Sequence, residues 1–161
     1  SATKGKLFNY EEELAPCTPK GIIKLLEHYE VDLEGKEVVI INRSNLVGKP
    51  LIFMLLKRNA TVSICHTSTR DMDKHIKNAD IIIVAVGKPN FITKDRIKQG
   101  AVIVDVGTNR VDGKLCGDVD FEGVIDKCSK ISPSPGGVGP LTVAFLMQNT
   151  YLAYKKQLKL Y

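Results

Sequence analysis

Tryptophan is absent and aromatic residues make up only 6% of the chain. They are too few, and too far from the arginines, to build a stacking platform for single-stranded nucleic acid. No apolar run approaches the roughly 20 residues that span a bilayer, and no basic n-region followed by an apolar h-region opens the sequence. A membrane role is therefore not expected. The four cysteines, Cys17, Cys65, Cys116 and Cys128, contain no C-x-x-C pair. Their spacing matches neither a zinc site nor a disulfide framework. It predicts buried thiols in a reducing compartment, a cytoplasmic location and no metal.

What is present fits one ordinary folded domain. A chain of 161 residues with 43% hydrophobic and 25% charged residues can bury a real core and is a poor candidate for disorder. The net charge is +5, but the positive residues are scattered, with one dense patch at Lys155, Lys156 and Lys159. Such a balance suits a small polyanion, such as a dinucleotide, better than it suits nucleic acid.

Residues 1–15 carry no firm period and read as a lead-in segment. A helix is predicted from Cys17-Thr18-Pro19, with Thr18 accepting from free first-turn amides and Pro19 lacking an N–H that would go unpaired. Ile22, Ile23, Leu25, Leu26 and Tyr29 supply its apolar stripe. Four runs rich in β-branched residues, 38–41, 61–65, 81–85 and 102–106, read as strands. Helices are predicted over 46–57 and 71–78, with a single turn at 94–98. Asp112-Gly113 marks a hairpin, residues 121–128 a helix and 130–132 a last short strand. A rigid glycine-rich loop, 133–140, precedes a long closing helix over 141–158 carrying Val143, Leu146, Met147, Thr150, Tyr151 and Tyr154. This alternation predicts an α/β fold, a Rossmann-like parallel sheet with helices on both faces. Residues 16–140 form the NAD(P)-binding domain in this reading, and 141–161 the C-terminal helix. Ligands are expected where the strands end.

At that edge the first candidate is Asn42-Arg43-Ser44-Asn45-Leu46-Val47-Gly48, where a strand passes into a helix. It is not a G-x-G-x-x-G. Asn42 and Ser44 stand where the first two glycines would be, and Gly48 falls one step past the third. Asn42 tolerates a left-handed backbone, Ser44 can donate, and free amides of 42–48 can hold a diphosphate at the helix N-terminus. After the second strand comes His66-Thr67-Ser68-Thr69-Arg70. An NAD site usually carries an acid there for the ribose hydroxyls. Donors and cations in its place, with Arg43 nearby, favour a 2′-phosphate and so NADP, with NAD as the other reading. Gly87 and the Gly107-Thr108-Asn109 turn bring slim backbone to the same edge, and Asp105 is placed to accept backbone hydrogen bonds there. Prolines bracketing Gly136, Gly137 and Gly139 hold a loop without side-chain bulk, followed by a helix start at Thr142.

Two features are discounted. Tyr151 and Lys155 match a Y-x-x-x-K spacing used by some dehydrogenases, but they fall on the last helix and read as a packing tyrosine and a solvated lysine. Glu11, Glu12 and Glu13 read as a solvated acidic run.

Together these stretches resemble the bifunctional methylenetetrahydrofolate dehydrogenase/cyclohydrolase family. The likeness is carried by PCTPKGI at 16–22, RSNLVGKP at 43–50, Cys65-His66 and ADIIIVAVGKPN at 79–90. It continues through KQGAVIVDVGTNRV at 98–111, GDVDFEGV at 117–124 and SPSPGGVGPLTVAFLMQNT at 132–150. The resemblance implies that Arg43 and Ser44 bind the nucleotide, that Thr67 stands for a serine reading the 2′-phosphate, and that the Thr108 backbone lies on the nicotinamide side. It places Thr18 near the cofactor and the 136–139 loop between nicotinamide and folate. The family's usual glycine is Asn42 here, as in some members that prefer NAD.

The resemblance also implies a folate substrate and a homodimer formed near the 110–120 hairpin. It further implies a preceding domain whose Y-x-x-x-K, Q-x-P-L-P and D-K-D-V-D-G stretches bind the pterin and run the cyclohydrolase step. Apart from the Tyr151/Lys155 spacing already discounted, those stretches are not found in these 161 residues. The expectation is a cofactor half, inactive alone and with no catalytic residue of its own, whose folate domain lies in a separate chain, was omitted or has been lost. A non-catalytic dinucleotide-binding regulatory or scaffolding module is the other reading.

Overall fold

A computed structural model of the chain describes residues 2–158, with side chains from residue 5 onward. Five parallel strands form one sheet: β1 (Glu37–Ile41), β2 (Thr61–Cys65), β3 (Ile81–Val84), β4 (Val102–Asp105) and, completing it, the two-residue β7 (Lys130–Ile131). Their order is β2-β1-β3-β4-β7. A separate hairpin, β5 (Asn109–Val111) and β6 (Lys114–Cys116), turns at Asp112 and Gly113, both at positive φ. That is the mirror-image turn which matches strand twist.

The strand runs look continuous in sequence because both faces of the sheet are covered. Val38, Ile40, Ile81, Ile83 and Val104 pack beneath α2 (Cys17–His28) and α3 (Gly48–Leu56) with Ile22, Leu26, Leu51 and Leu55. Val39, Ile41, Ile82, Val84 and Ile103 face the opposite layer with Ile76 of α4 (Met72–Asn78), Ile92, Ile97 and Val124 of α5 (Phe121–Val124). Each fully buried Ile contributes about 1.5–3 kcal/mol, so both layers are needed.

Several local expectations change. The opening segment is not featureless, because Ala2–Phe8 forms α1, Leu7 and Ala15 are buried, and Phe8 lies against Phe53 at 4.4 Å between ring centroids. Thr18 does not cap α2. Pro16 holds that position without a side-chain bond, and Thr18 sits inside the first turn. Glu11–Glu13 are not simply solvated: Glu12 pairs with Arg58 and Lys57, Glu13 with Lys156 and Glu11 with Lys6. Of the four cysteines, all free, only Cys65 is buried.

The last helix, α6 (Val138–Gln157), begins three residues earlier than the proline-glycine pattern suggested. It packs on α2 at Gly21, where an added Cβ would lie 3.1 Å from the Leu141 Cβ. Lys20 donates to Asn149 Oδ1, and Asn149 donates to the Ala15 carbonyl, clasping the helix to the chain ahead of α2. Its apolar stripe faces outward. Val143, Leu146, Met147, Tyr151 and Tyr154 are all more than half exposed, so Tyr151 is not a packing residue, and Lys155 Nζ lies 5.2 Å from its ring centre. Among the described residues no helix is long and apolar enough to cross a membrane. Lys159 of the basic patch lies outside them.

Candidate functional site

The chain runs from β1 outward to β2, then returns past β1 to β3, so the sheet reverses direction between β1 and β3. At such a reversal the loops from neighbouring strand ends diverge to opposite faces and leave a crevice. The strands end level there. Ile41 is in register with Cys65 on one side and Val84 on the other, and Val84 with Asp105. Residues 42–44, 66–67, 87 and 108 therefore leave the sheet along one edge.

The β1 loop is organised by Asn42, though not by the left-handed backbone expected of it, because Asn42 is not among the positive-φ residues. Its Oδ1 accepts from the Ser44 amide at 2.8 Å and the Gly48 amide at 3.1 Å, and its Nδ2 donates to the Ala85 carbonyl at 2.7 Å. The side chain thus closes the turn and ties β1 to the end of β3. Gly48 permits the close return of the chain, since an added Cβ would lie 2.1 Å from the Asn42 carbonyl oxygen. Ser44 Oγ accepts from the Val47 amide at 3.0 Å, which leaves the hydroxyl hydrogen for another acceptor.

These bonds consume three of the amides expected to face a diphosphate. Among the described residues those of Arg43, Asn45 and Leu46 carry no hydrogen bond, and the exposed Arg43 guanidinium has no partner. The amides left free to donate are therefore fewer than the loop sequence suggested.

After β2, the His66 amide donates to Thr69 Oγ1 and the Thr69 amide to the His66 carbonyl, closing a tight turn. His66 Nδ1 accepts from the Ser68 amide at 3.2 Å. With Nδ1 accepting, the donor position of the neutral ring is Nε2. Thr67 and Arg70 are exposed. Burial raises the Cys65 thiol above its usual range, with a smaller opposing effect from Thr69.

Gly87 adopts φ +69° with open space where a side chain would stand. Thr108 is exposed. Gly136 (φ +104°), Gly137 and Gly139 form the loop and the start of α6, and the Ser134 hydroxyl donates to the Gly107 carbonyl, fastening this loop to the one after β4. Thr142 joins Thr18 across the α6–α2 junction at 3.1 Å between hydroxyls. A cavity of about 540 Å³ runs from this loop down β4 and β7 beside α2, lined chiefly by apolar side chains such as Leu25, Val102 and Ile131. None of the residues of the β1 and β2 loops lines it.

Residues 16–158 match the model of the tetrahydrofolate dehydrogenase/cyclohydrolase NAD(P)-binding domain. The chain belongs to this family. It is 55% identical over 157 residues to the bifunctional protein FolD of Bacillus licheniformis, covering 97% of this chain and 55% of that protein. The crystal structure of the bifunctional FolD enzyme of Campylobacter jejuni superposes with a TM-score of 0.85 at 53% identity, over 88% of this chain and 51% of that one. The Trypanosoma brucei FolD dehydrogenase-cyclohydrolase, solved with NADP and an inhibitor, superposes with a TM-score of 0.89 at 34% identity, over 98% and 57%. The chain thus spans about half the length of the FolD proteins it matches.

Within this family domain, sequence reasoning placed Asp105 correctly as an acceptor. Its carboxylate takes the amides of Gly107, Asp118 and Val119. Burial pushes its carboxyl above the usual range and those bonds pull the other way, with the neighbouring Asp118 charge adding to the rise. Sequence reasoning missed Asp118 itself, which is wholly buried. An acid beside a glycine in G-D-V-D gives no sign of burial, so no local signal could have found it. Lys20 was missed likewise. Burial lowers its pKa, opposed by Cys17, Glu12 and Glu13.

Proposed function

We propose that this chain is the cofactor-binding half of an NADP-linked enzyme. That enzyme oxidises 5,10-methylenetetrahydrofolate to the 5,10-methenyl form and hydrolyses it to 10-formyltetrahydrofolate. The observation that carries the reading is the edge chemistry of a FolD-family sheet. An unpaired Arg43 guanidinium stands at the reversal point, and the β2 end carries His66 and Thr67 in place of an acid. A carboxylate there would repel a 2′-phosphate, whereas a guanidinium, an imidazole N–H and a hydroxyl each donate to it.

The residues present fit a dinucleotide. The Asn45 and Leu46 amides and the Ser44 hydroxyl are free to donate to phosphate oxygens, in a loop already shaped by Asn42. Open space at Gly87 and Gly136 admits a flat ring against backbone. Thr108, Gly137 and Gly139 border that end, with Thr18 and Thr142 holding the α2 and α6 starts together. When bound, the dinucleotide supplies the hydride acceptor. What this chain contributes is placement, and holding reacting atoms within about 3–3.5 Å removes a large part of such a barrier. No general acid or base is assigned to these 161 residues. The folate-side tyrosine and lysine that the family resemblance implies are assigned, in this reading, to the part of FolD-length proteins that this chain does not span.

Two exposed surfaces suit the same reading. The outward stripe of α6 offers an apolar face to a folate domain, and Val111 and Leu115, both nearly half exposed on the hairpin, offer one to a second copy. The deciding experiment titrates the chain with NADP and NAD, with and without Arg43→Ala. Tighter NADP binding that falls to the NAD level in the variant supports the reading. Equal affinity for the two in the unmodified chain overturns the NADP assignment.

A further inference from the structure

Beneath the carboxyl edge lies a carboxylate that the dinucleotide reading does not use. Asp118 is 0% exposed, and its two oxygens accept four hydrogen bonds. The Val86 and Gly87 amides donate to Oδ2 at 2.6 and 3.0 Å, while the Lys88 amide and Asn109 Nδ2 donate to Oδ1, each at 2.9 Å. Among the described residues no basic side chain pairs with it. Three successive amides converging on one point form an anion-binding concavity. This one stands at the end of β3, beside the crevice where sheets of this kind take their ligands.

The concavity is filled by the protein itself, and the filling is built in. Gly107 passes so close that an added Cβ would lie 2.2 Å from the Asp118 Cγ. The Asp118 carbonyl accepts from Phe91 and Ile92, and its amide is held by Asp105. Asp105 in turn donates its amide to Ser132 Oγ, at the end of β7. One carboxylate therefore joins the β3 loop to the start of the hairpin, and through Asp105 to the glycine loop.

We infer that Asp118 is a positioning residue for the nucleotide edge: its carboxylate occupies the Val86–Lys88 amides, sets the shape of the β3 loop before any ligand arrives, and denies that concavity to ligand phosphates. Phosphates are left to the β1 loop and Arg43. The crevice side of β3, with its amides turned inward and Gly87 bare, accepts an uncharged part of the ligand. This inference rests on the reading that the edge takes a dinucleotide, and its test keeps the two apart.

The test is Asp118→Ala with chemical rescue. Folding is checked by circular dichroism, and NADP and NAD affinity by calorimetry. The variant is expected to bind the dinucleotide about tenfold more weakly, the equivalent of about 1.4 kcal/mol. Sodium formate, a free carboxylate for the vacated concavity, is expected to restore most of the loss, while sodium chloride at equal ionic strength does not. Unchanged affinity in a folded variant overturns the inference alone. So does weakening that formate leaves untouched, since that marks a general structural defect. Failure of the unmodified chain to bind either dinucleotide overturns the underlying reading and the inference with it. Should the variant not fold, hydrogen exchange on the unmodified chain decides. Residues 86–88 are expected to be protected without ligand and unchanged at saturation. Free exchange that slows only when dinucleotide is added overturns the inference.

Discussion

Replacing Asn42 by alanine removes the side chain that shapes the β1 loop, and its cost follows from the bonds lost. Three go: the Ser44 amide, the Gly48 amide and the Ala85 carbonyl lose partners at 2.8, 3.1 and 2.7 Å. The Ser44 bond is exposed, so water replaces it at little cost. The other two are partly buried and are worth about 1 kcal/mol each. A loss of about 2 kcal/mol lowers the melting temperature of a chain this size by about 4–8 °C. Asn42→Asp keeps the acceptor oxygen for Ser44 and Gly48 but sets a carboxylate oxygen against the Ala85 carbonyl in place of the donor, and should also melt below the parent. Scanning calorimetry of the three proteins side by side provides the measurement. If both variants melt within about 1 °C of the parent, Asn42 is not the organiser of this loop, and the claim that it stands in for the missing glycine is wrong.

Two further outcomes follow from the surface and the charges. Lys98 and the Glu37 amide hold the Asp80 carboxyl below the usual carboxylate range. A depressed folded-state pKa contributes stability that is present above the unfolded value, about 3.9, and is lost as pH falls through the folded one. The melting difference between parent and Asp80→Asn should therefore be largest near neutrality and shrink below about pH 4. It should also be modest, since the pair is partly exposed. A difference that widens on acidification refutes the assignment. On α6, the double change Leu146→Glu and Met147→Lys should alter stability by no more than about 0.5 kcal/mol in scanning calorimetry, because both side chains are more than half exposed. A melting drop of more than about 4 °C would mean that the stripe packs on its own domain after all.

Much of the sheet was legible because its signals are local. Val38–Ile41 and Ile81–Val84 are β-branched runs bounded by turns, and covering on both faces is what makes such runs continuous; Thr61–Cys65, at the sheet margin, is only partly covered. The Asp112-Gly113 turn is equally local. What could not be read depends on contacts between distant residues. The stripe at 143, 146, 147, 151 and 154 has a helical period, but period alone does not say whether the face meets this domain or another. α1 stayed hidden because its seven residues include a glycine and carry no stripe; Leu7 is buried in the core layer, while the mostly exposed Phe8 lies against Phe53 of α3.

The candidate site divides the same way. The edge itself, and the absence of an acid after β2, follow from strand order and residue type. Which amides remain free does not. Asn42 reaches six residues on to Gly48 and across to Ala85, and Asp118 reaches back about 30 residues to the β3 loop. Both spend donors that a linear reading leaves available. The same distances explain why Asn42 was given a backbone role when its amide group performs the work.

The sheet's two margins are unequal. β2 presents five residues, whereas β7 is a strand of two, Lys130 and Ile131, with flanking backbone bonds from Ser129 and Ser132 before the chain turns into proline and glycine. A foreign strand needs a row of vacant ladder positions to align against, and ordinary strands run to about five or six residues. So short a strand, with Pro133 close behind it, offers little template, and edge-to-edge growth into fibrils is disfavoured on that side by brevity.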